Sequence, residues 1–398
     1  MAVPQLIPAP DPDAARSFSP VDNEPPLRWQ RALLLAPASG LGVARRAIVL
    51  ALLTWLPIAC WALVRGRFFD AATGEPLLQH YGVHVRCLLA IPLLVLGEAT
   101  LHKAAQRCFP QFLRSGLVDE AARSRFEAAL RAAERWRDSS LPWLFVIGAA
   151  LAWSAVDRPA FQTDAMSWAF DEAGGLGFGG LWFAYVVRPV FIGLLLGWLW
   201  RIVLLALLFA RLGKLGLSLV PSHPDRAGGL GFLETLPGAF APVTFALSAM
   251  LASRWAHEIV YHGQTLNMLK LPAATFVIVW SLLLLLVPFV PFVPELHAAK
   301  RTALLSYSVL MAEQGRLVRR RWVDGTTKVD APLLEPAGVG PIADAATLFA
   351  AVRSMRVLPI GRASFVGVVV PIMVPMLGVA TLQIPARTLV LDLVKALL

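Results

Sequence analysis

Thirty consecutive residues, Leu181 to Ala210, contain only two charged side chains, Arg188 and Arg201. A helix needs about 20 apolar residues to cross the hydrocarbon core of a bilayer, so this run is long enough to span one. Six further charge-poor runs repeat the pattern: Ala47 to Val64, Val83 to Leu101 with Pro92 and Glu98 inside, Leu141 to Val156, Pro237 to Ser253, Leu271 to Val293 and Ser364 to Ile384. Together they predict an all-α fold, a polytopic transmembrane helical bundle of about seven spans. Composition agrees, because a chain of 398 residues that is 57% hydrophobic and 16% charged has too little polar surface for a soluble globule.

The loops set the orientation. Residues 102–140 carry eight Lys or Arg and residues 294–362 are similarly basic, whereas 157–178 holds Arg158 against Asp157, Asp164, Asp171 and Glu172. Cytoplasmic loops are the arginine- and lysine-rich ones, which predicts a cytoplasmic N-terminus and, after seven spans, a periplasmic C-terminus. The net charge of +10 resides mainly in these loops and calls for no nucleic acid; the expected partner is the lipid bilayer, with a homo-oligomer left open. Only six of the 36 basic residues are lysine, which with abundant alanine fits a GC-rich bacterial genome and an inner (cytoplasmic) membrane. Cys60, Cys87 and Cys108 are odd in number and form no Cys-x-x-Cys, so neither a disulfide framework nor a thiolate metal site is expected.

Four regions follow. Residues 1–43 comprise a proline-rich tail, expected to be disordered through residue 28, and a short interfacial helix with Trp29 and Arg31. Residues 44–293 hold spans one to six, with a helical cytoplasmic loop at 102–140 in which Phe126, Leu130 and Ala133 share a face and Glu127 pairs with Arg131. Residues 294–362 form a cytoplasmic helical region, broken at Asp324-Gly325 and Pro332. Residues 363–398 hold a seventh span, which its Gly and Pro content would also suit as a re-entrant segment, and an amphipathic C-terminal helix.

Ionisable residues inside the apolar runs are the first site candidates, since charge in lipid is costly and marks pathways or fixed contacts. Glu98 either reaches the headgroups or faces the bundle, where Arg201 is its natural partner. Arg188, before Pro189, is expected to snorkel outward beside a bend. The second candidate is the turn from His223 through Asp225 and Arg226 to Gly228, Gly229 and Gly231. It reads either as an Asx-type turn, with Asp225 accepting backbone N–H groups, or as a metal, anion or headgroup site. The glycines of 174–180 read as a flexible periplasmic hinge. His257, Glu258 and His262 lack the His-Glu-x-x-His spacing of a zinc-protease helix, and i, i+5 spacing turns the second imidazole away from the first. Together with His80, His84 and Arg86 they lie at the periplasmic face, where a loose metal or proton site is open. No metal or cofactor is assigned from the sequence.

The stretches His84-Val-Arg86, Ile91 to Glu98, Ser115-Gly-Leu-Val118, Arg137-Asp-Ser139, Trp198-Leu-Trp-Arg201, His223 to Gly231 and Ala299-Lys-Arg301 cover most of the chain beyond the first span. In these the sequence resembles an uncharacterised family of bacterial polytopic inner-membrane proteins carrying a His-Pro-Asp-Arg-Ala-Gly-Gly-Leu-Gly turn. The resemblance implies a topology and candidate positions, and no activity. From the residues, the first expectation is a channel or transporter of a small solute or ion along Glu98, Arg201 and the 223–231 turn. The alternatives are a membrane-embedded enzyme acting on a lipid or isoprenoid phosphate, and a membrane scaffold or sensor.

Overall fold

The computed structural model describes residues 18–69, 75–156, 168–170, 175–320, 324 and 340–384. Among these the chain forms eleven helices and no strands: α1 (Pro25–Ala32), α2 (Val43–Val64), α3 (Tyr81–Arg114), α4 (Glu120–Asp138), α5 (Ser140–Val156), α6 (Phe178–Leu212), α7 (Gly231–His262), α8 (Leu266–Leu285), α9 (Val293–Val318), α10 (Gly340–Ser354) and α11 (Arg362–Ala380). Six of them, α2, α3, α6, α7, α8 and α11, are long and apolar enough to cross a membrane.

Helix α5 has 17 residues, about 25 Å at helical rise, and is the shortest of the expected spans. Connectivity nevertheless places it on the path from one end of the bundle to the other. The first turns of α3 and α6 lie together, with the Arg86 guanidinium 5.0 Å from the Phe183 ring, while α4 packs at the far end of α3, where the Phe112 and Phe126 rings are 5.9 Å apart. The chain must therefore return from one end to the other between α4 and α6. Helix α5 lies along α6 on the way, with the Trp143 ring filling the space where a Cβ on Gly197 would stand.

Both α3 and α6 carry a π-helical stretch, Val85–Ala90 in the first and Phe183–Val187 in the second, shortly before Pro92 and Pro189 respectively. A proline ring clashes with the carbonyl four residues earlier and donates no N–H. The wider π turn holds those carbonyls, of Leu88 and Tyr185, inside the irregular segment. The bend expected at Arg188-Pro189 takes this form.

Helix α11 is a continuous helix of 19 residues through Pro371 and Pro375, long enough to cross, and it packs along α7. At the crossing, Gly238 and Gly367 meet backbone to backbone, and a Cβ on Gly367 would stand 2.7 Å from the Gly238 Cα. Small residues allow this approach where lipid supplies no hydrophobic drive between helices. The expected amphipathic C-terminal helix lies outside the described residues.

Two expectations are corrected. Of the tail predicted to be disordered through residue 28, the part from Phe18 onward is folded: Phe18, Val21, Glu24 and Leu27 are all buried. Prolines at 25 and 26 start a helix because their missing N–H groups fall where a helix leaves donors unused. The expected interfacial helix is thus α1, placed earlier, with Trp29 exposed on it. Gly177, Gly179 and Gly180 pack tightly and form no hinge, since Cβ atoms at Gly177 and Gly179 would fall 2.4 and 2.5 Å from the Trp61 ring and one at Gly180 2.6 Å from Ala169 O, while Gly175 has open space around it. Gly174 lies outside the described residues.

Candidate functional site

Glu98 and Arg201 meet inside the bundle, Arg201 Nη2 donating to Glu98 Oε1 at 2.8 Å. Two partners that the sequence did not announce complete them. Arg46, in the first turn of α2, donates to Glu98 Oε2 at 2.5 Å, and Glu24, at the start of α1, accepts from Arg201 Nη2 at 2.7 Å. All four are at most 3% exposed. The result is an alternating chain, Arg46, Glu98, Arg201, Glu24, with no net charge when all are ionised. It ties the N-terminal segment, α2, α3 and α6 to one another. Breaking one partner of such a buried pair typically costs about 3–5 kcal/mol, because the other is left charged and dry. The Arg201 guanidinium also lies 4.9 Å from the Trp198 ring, whose Nε1 donates to Leu94 O at 2.9 Å.

The N-terminal segment is held from below by Arg137, which donates to Ser19 O at 2.7 Å, and by His102, 2.7 Å from the Ser19 hydroxyl. Glu24 is legible in part: Phe18, Val21 and Leu27 are apolar residues in an otherwise polar tail, and Glu24 precedes two prolines suited to a helix start. Arg46 reads as one more basic residue flanking the first span, because nothing local separates a flanking arginine from an inward one.

Arg188 is buried, only 9% exposed, and does not snorkel outward. It belongs to the same end of the bundle as Arg86, which stacks on Phe183 and Phe191. His84 uses both ring nitrogens: Nδ1 accepts from Trp55 Nε1 at 3.0 Å, so Nε2 carries the proton and donates to Leu77 O at 3.0 Å. It is a neutral structural histidine.

The 223–231 turn is an Asx-type turn. The Asp225 carboxylate accepts from the backbone N–H groups of Ala227 (2.8 Å), Gly229 (3.2 Å) and Gly231 (2.8 Å). Burial alone would raise its pKa, but these N–H groups, with the His223 ring, outweigh that and hold the carboxyl below its usual value. Gly228 and Gly229 adopt φ of 66° and 97°, which press the turn against Met355 and Leu117. Gly231 is required for a different reason, since its Cβ would stand 2.6 Å from that of Asp225. His223 and Arg226 remain exposed.

The closed turn positions a distant arginine. Arg356 N donates to Arg226 O at 2.7 Å, and Arg356 Nη2 donates to Asp225 O at 2.9 Å and to the Glu234 carboxylate. Lys300, on α9, donates to Met355 O. Lys300 and Arg356 thereby stand at the foot of a cavity of about 700 Å³ between α8 and α11. Its walls are apolar, Val277, Ile278, Leu282 and Leu285 on one side and Phe365 and Val369 on the other. The Ser281 hydroxyl also lines it, and its buried oxygen has no hydrogen-bond partner among the described residues. Arg356 is paired with Glu234, while Lys300 has no carboxylate partner among the described residues, which leaves the foot with one net positive charge. Sequence reading missed Arg356 and Glu234, whose separation in the chain hides the pair. Lys300 carried a signal, as one of six lysines and part of Ala299-Lys-Arg301.

No protein family, curated protein or solved structure matches the chain.

At the opposite end of the bundle, Glu75, His80, His257 and His262 come together. The i, i+5 spacing does not separate the last two as expected: their ring centroids are 5.5 Å apart at the C-terminal end of α7.

Proposed function

We propose that this multi-pass membrane protein recognises an anionic amphiphile, a phosphate carried on an apolar chain, in the groove between α8 and α11. One observation carries the reading: an apolar wall the height of several helical turns ends on two fixed cations, Lys300 and Arg356. An acyl or isoprenoid chain lies along the wall for the same reason that lipid covers any apolar helix face. A phosphate at the foot gains charge-assisted hydrogen bonds, each stronger than a neutral one. The unpartnered Ser281 hydroxyl offers a donor to an ester or hydroxyl further up the chain. The groove's residues supply recognition, and the lipid or isoprenoid phosphate is the substrate class of the enzyme alternative raised by the sequence.

The bacterial inner membrane, a cytoplasmic N-terminus and kinship with the family named above belong to this proposal. They rest on the basic loops at 102–140 and 294–362 and on the motifs quoted. The groove's foot then faces the cytoplasmic leaflet. Transport of a small solute along Glu98 and Arg201 is less favoured, because those charges are closed on Arg46 and Glu24 and serve to hold the bundle together.

Native mass spectrometry of the detergent-solubilised protein tests the reading, with phosphatidylglycerol, a polyisoprenyl phosphate and phosphatidylcholine offered in turn. The expected result is retention of one or both anionic species over phosphatidylcholine, weakened about tenfold in Lys300→Gln, since a hydrogen bond to a charged group is worth roughly 1.5–3 kcal/mol. Preference for the phospholipid or for the polyisoprenyl phosphate identifies the source of the phosphate. Equal retention of all three, or an unaffected Lys300→Gln, contradicts it.

A further inference from the structure

We infer that the chain binds a divalent transition-metal ion of the zinc type between Glu75, His80, His257 and His262, at the end of the bundle opposite the groove. The four residues come from two places far apart in sequence. Glu75 and His80 lie in the segment leading into α3, and His257 and His262 form the last turns of α7.

Hydrogen bonding makes the case. His257 Nδ1 lies 3.3 Å from Gln79 O, and since a carbonyl only accepts, Nδ1 carries the ring proton. In the neutral ring, Nε2 then presents a lone pair, and it faces Glu75 Oε2 at 3.2 Å. His80 Nε2 approaches the same oxygen to 3.6 Å. Both nitrogens are sealed from solvent and have no hydrogen-bond partner among the described residues. The His257 lone pair aimed at a carboxylate oxygen is repelled by it unless a cation lies between them, and His80 Nε2 crowds the same oxygen.

A metal ion resolves the repulsion, and the spacing suits one. Two donor atoms bonded to zinc at about 2.1 Å with tetrahedral angles lie roughly 3.4 Å apart. The donors of Glu75, His257 and His262 all fall within 4.8 Å of one another, and His262 is exposed and able to swing inward. A carboxylate with imidazoles is a donor set that suits zinc and its neighbours rather than magnesium or calcium. The Nδ1 contact of His257 with a backbone carbonyl is the outer-shell bond that typically orients a metal-bound histidine. His84, with both nitrogens engaged, stays outside the set.

The test uses the full chain in detergent, stripped with a chelator and titrated with Zn²⁺ by calorimetry, and with Co²⁺ by visible absorption. One equivalent of Zn²⁺ is expected to bind, with cobalt giving the intense bands of a tetrahedral site. His257→Gln and Glu75→Gln are each expected to weaken binding at least about tenfold. His262→Ala separates binding from folding: its side chain is exposed, so the metal-free melting temperature should stay unchanged while affinity falls. His223→Gln, at the other end of the molecule, should bind as wild type. Absence of a stoichiometric site in the wild type, or affinity unchanged in both His257→Gln and His262→Ala, overturns the inference. The outcome is independent of lipid binding in the groove.

Discussion

A charge inside an apolar helix is legible in sequence because it is rare there, and its partner is legible when that too interrupts an apolar run. Glu98 and Arg201 met both conditions, and their ion pair is present. Glu24 and Arg46 did not, because each sits in polar sequence where inward and outward side chains look alike. The four residues form one unit, so substitutions within it should not add. Glu98→Gln and Arg201→Gln are each expected to lower stability by about 3–5 kcal/mol, with the double variant well short of the sum, read by thermal unfolding in detergent. Asp225 makes a separate prediction. Its folded pKa lies below its ordinary value of 3.8, so its contribution is fully present above that pH and is lost as pH falls through and below it. Wild-type melting temperature should therefore drop on acidification from pH about 5 to 3, in part because of Asp225. Asp225→Asn, which cannot accept from all three N–H groups, should be less stable at neutral pH by about 1–3 kcal/mol and show a shallower acid loss.

Helices were the easiest elements to read, since length and apolarity define a span without reference to any neighbour. Helix α4 also followed the expected face, with Phe126, Leu130 and Ala133 buried and Glu127 paired to Arg131 at 3.4 Å. What sequence could not give was the meeting of elements. The glycines at 177 and 179 looked like a hinge because only the ring of Trp61, on a different helix, makes them packing residues. The same holds for Gly238 and Gly367, which let α7 and α11 touch. Gly367→Val is expected to force these helices apart and to lower stability by about 1–3 kcal/mol, as overpacking does. Because α11 also forms one wall of the groove, the same variant should lose lipid retention. Gly193→Ala, inside α6 with open space around its Cβ position, should leave lipid retention unchanged and raise stability slightly, by up to about 1 kcal/mol.

On the scale of the molecule, chain connectivity gives the bundle two distinct ends. One gathers the N-terminal segment, α4, the Asp225 turn and the cations Lys300 and Arg356; the other gathers Glu75, His80, His257 and His262. The basic loops predict which end faces the cytoplasm. In a Cys60→Ser background, with Cys87 and Cys108 buried, a cysteine at Arg131 should react with an impermeant thiol reagent only after the membrane is opened. One at the exposed Thr265 should react in intact cells. The reverse pattern would invert the orientation. That the groove lies at the same end as the Asp225 turn was not readable in advance, because its walls come from α8 and α11 and Arg356 at its foot is held by a turn more than a hundred positions earlier.

Cross-linking with a photoactivatable phosphatidylglycerol, its reactive group placed partway along one acyl chain, tests lipid recognition in the groove most directly. The account predicts adducts concentrated on Val277 to Leu285 and Phe365 to Val369, and lost in Lys300→Gln. Adducts spread evenly over the lipid-facing surfaces of α2, α6 and α8, indifferent to Lys300, would contradict it.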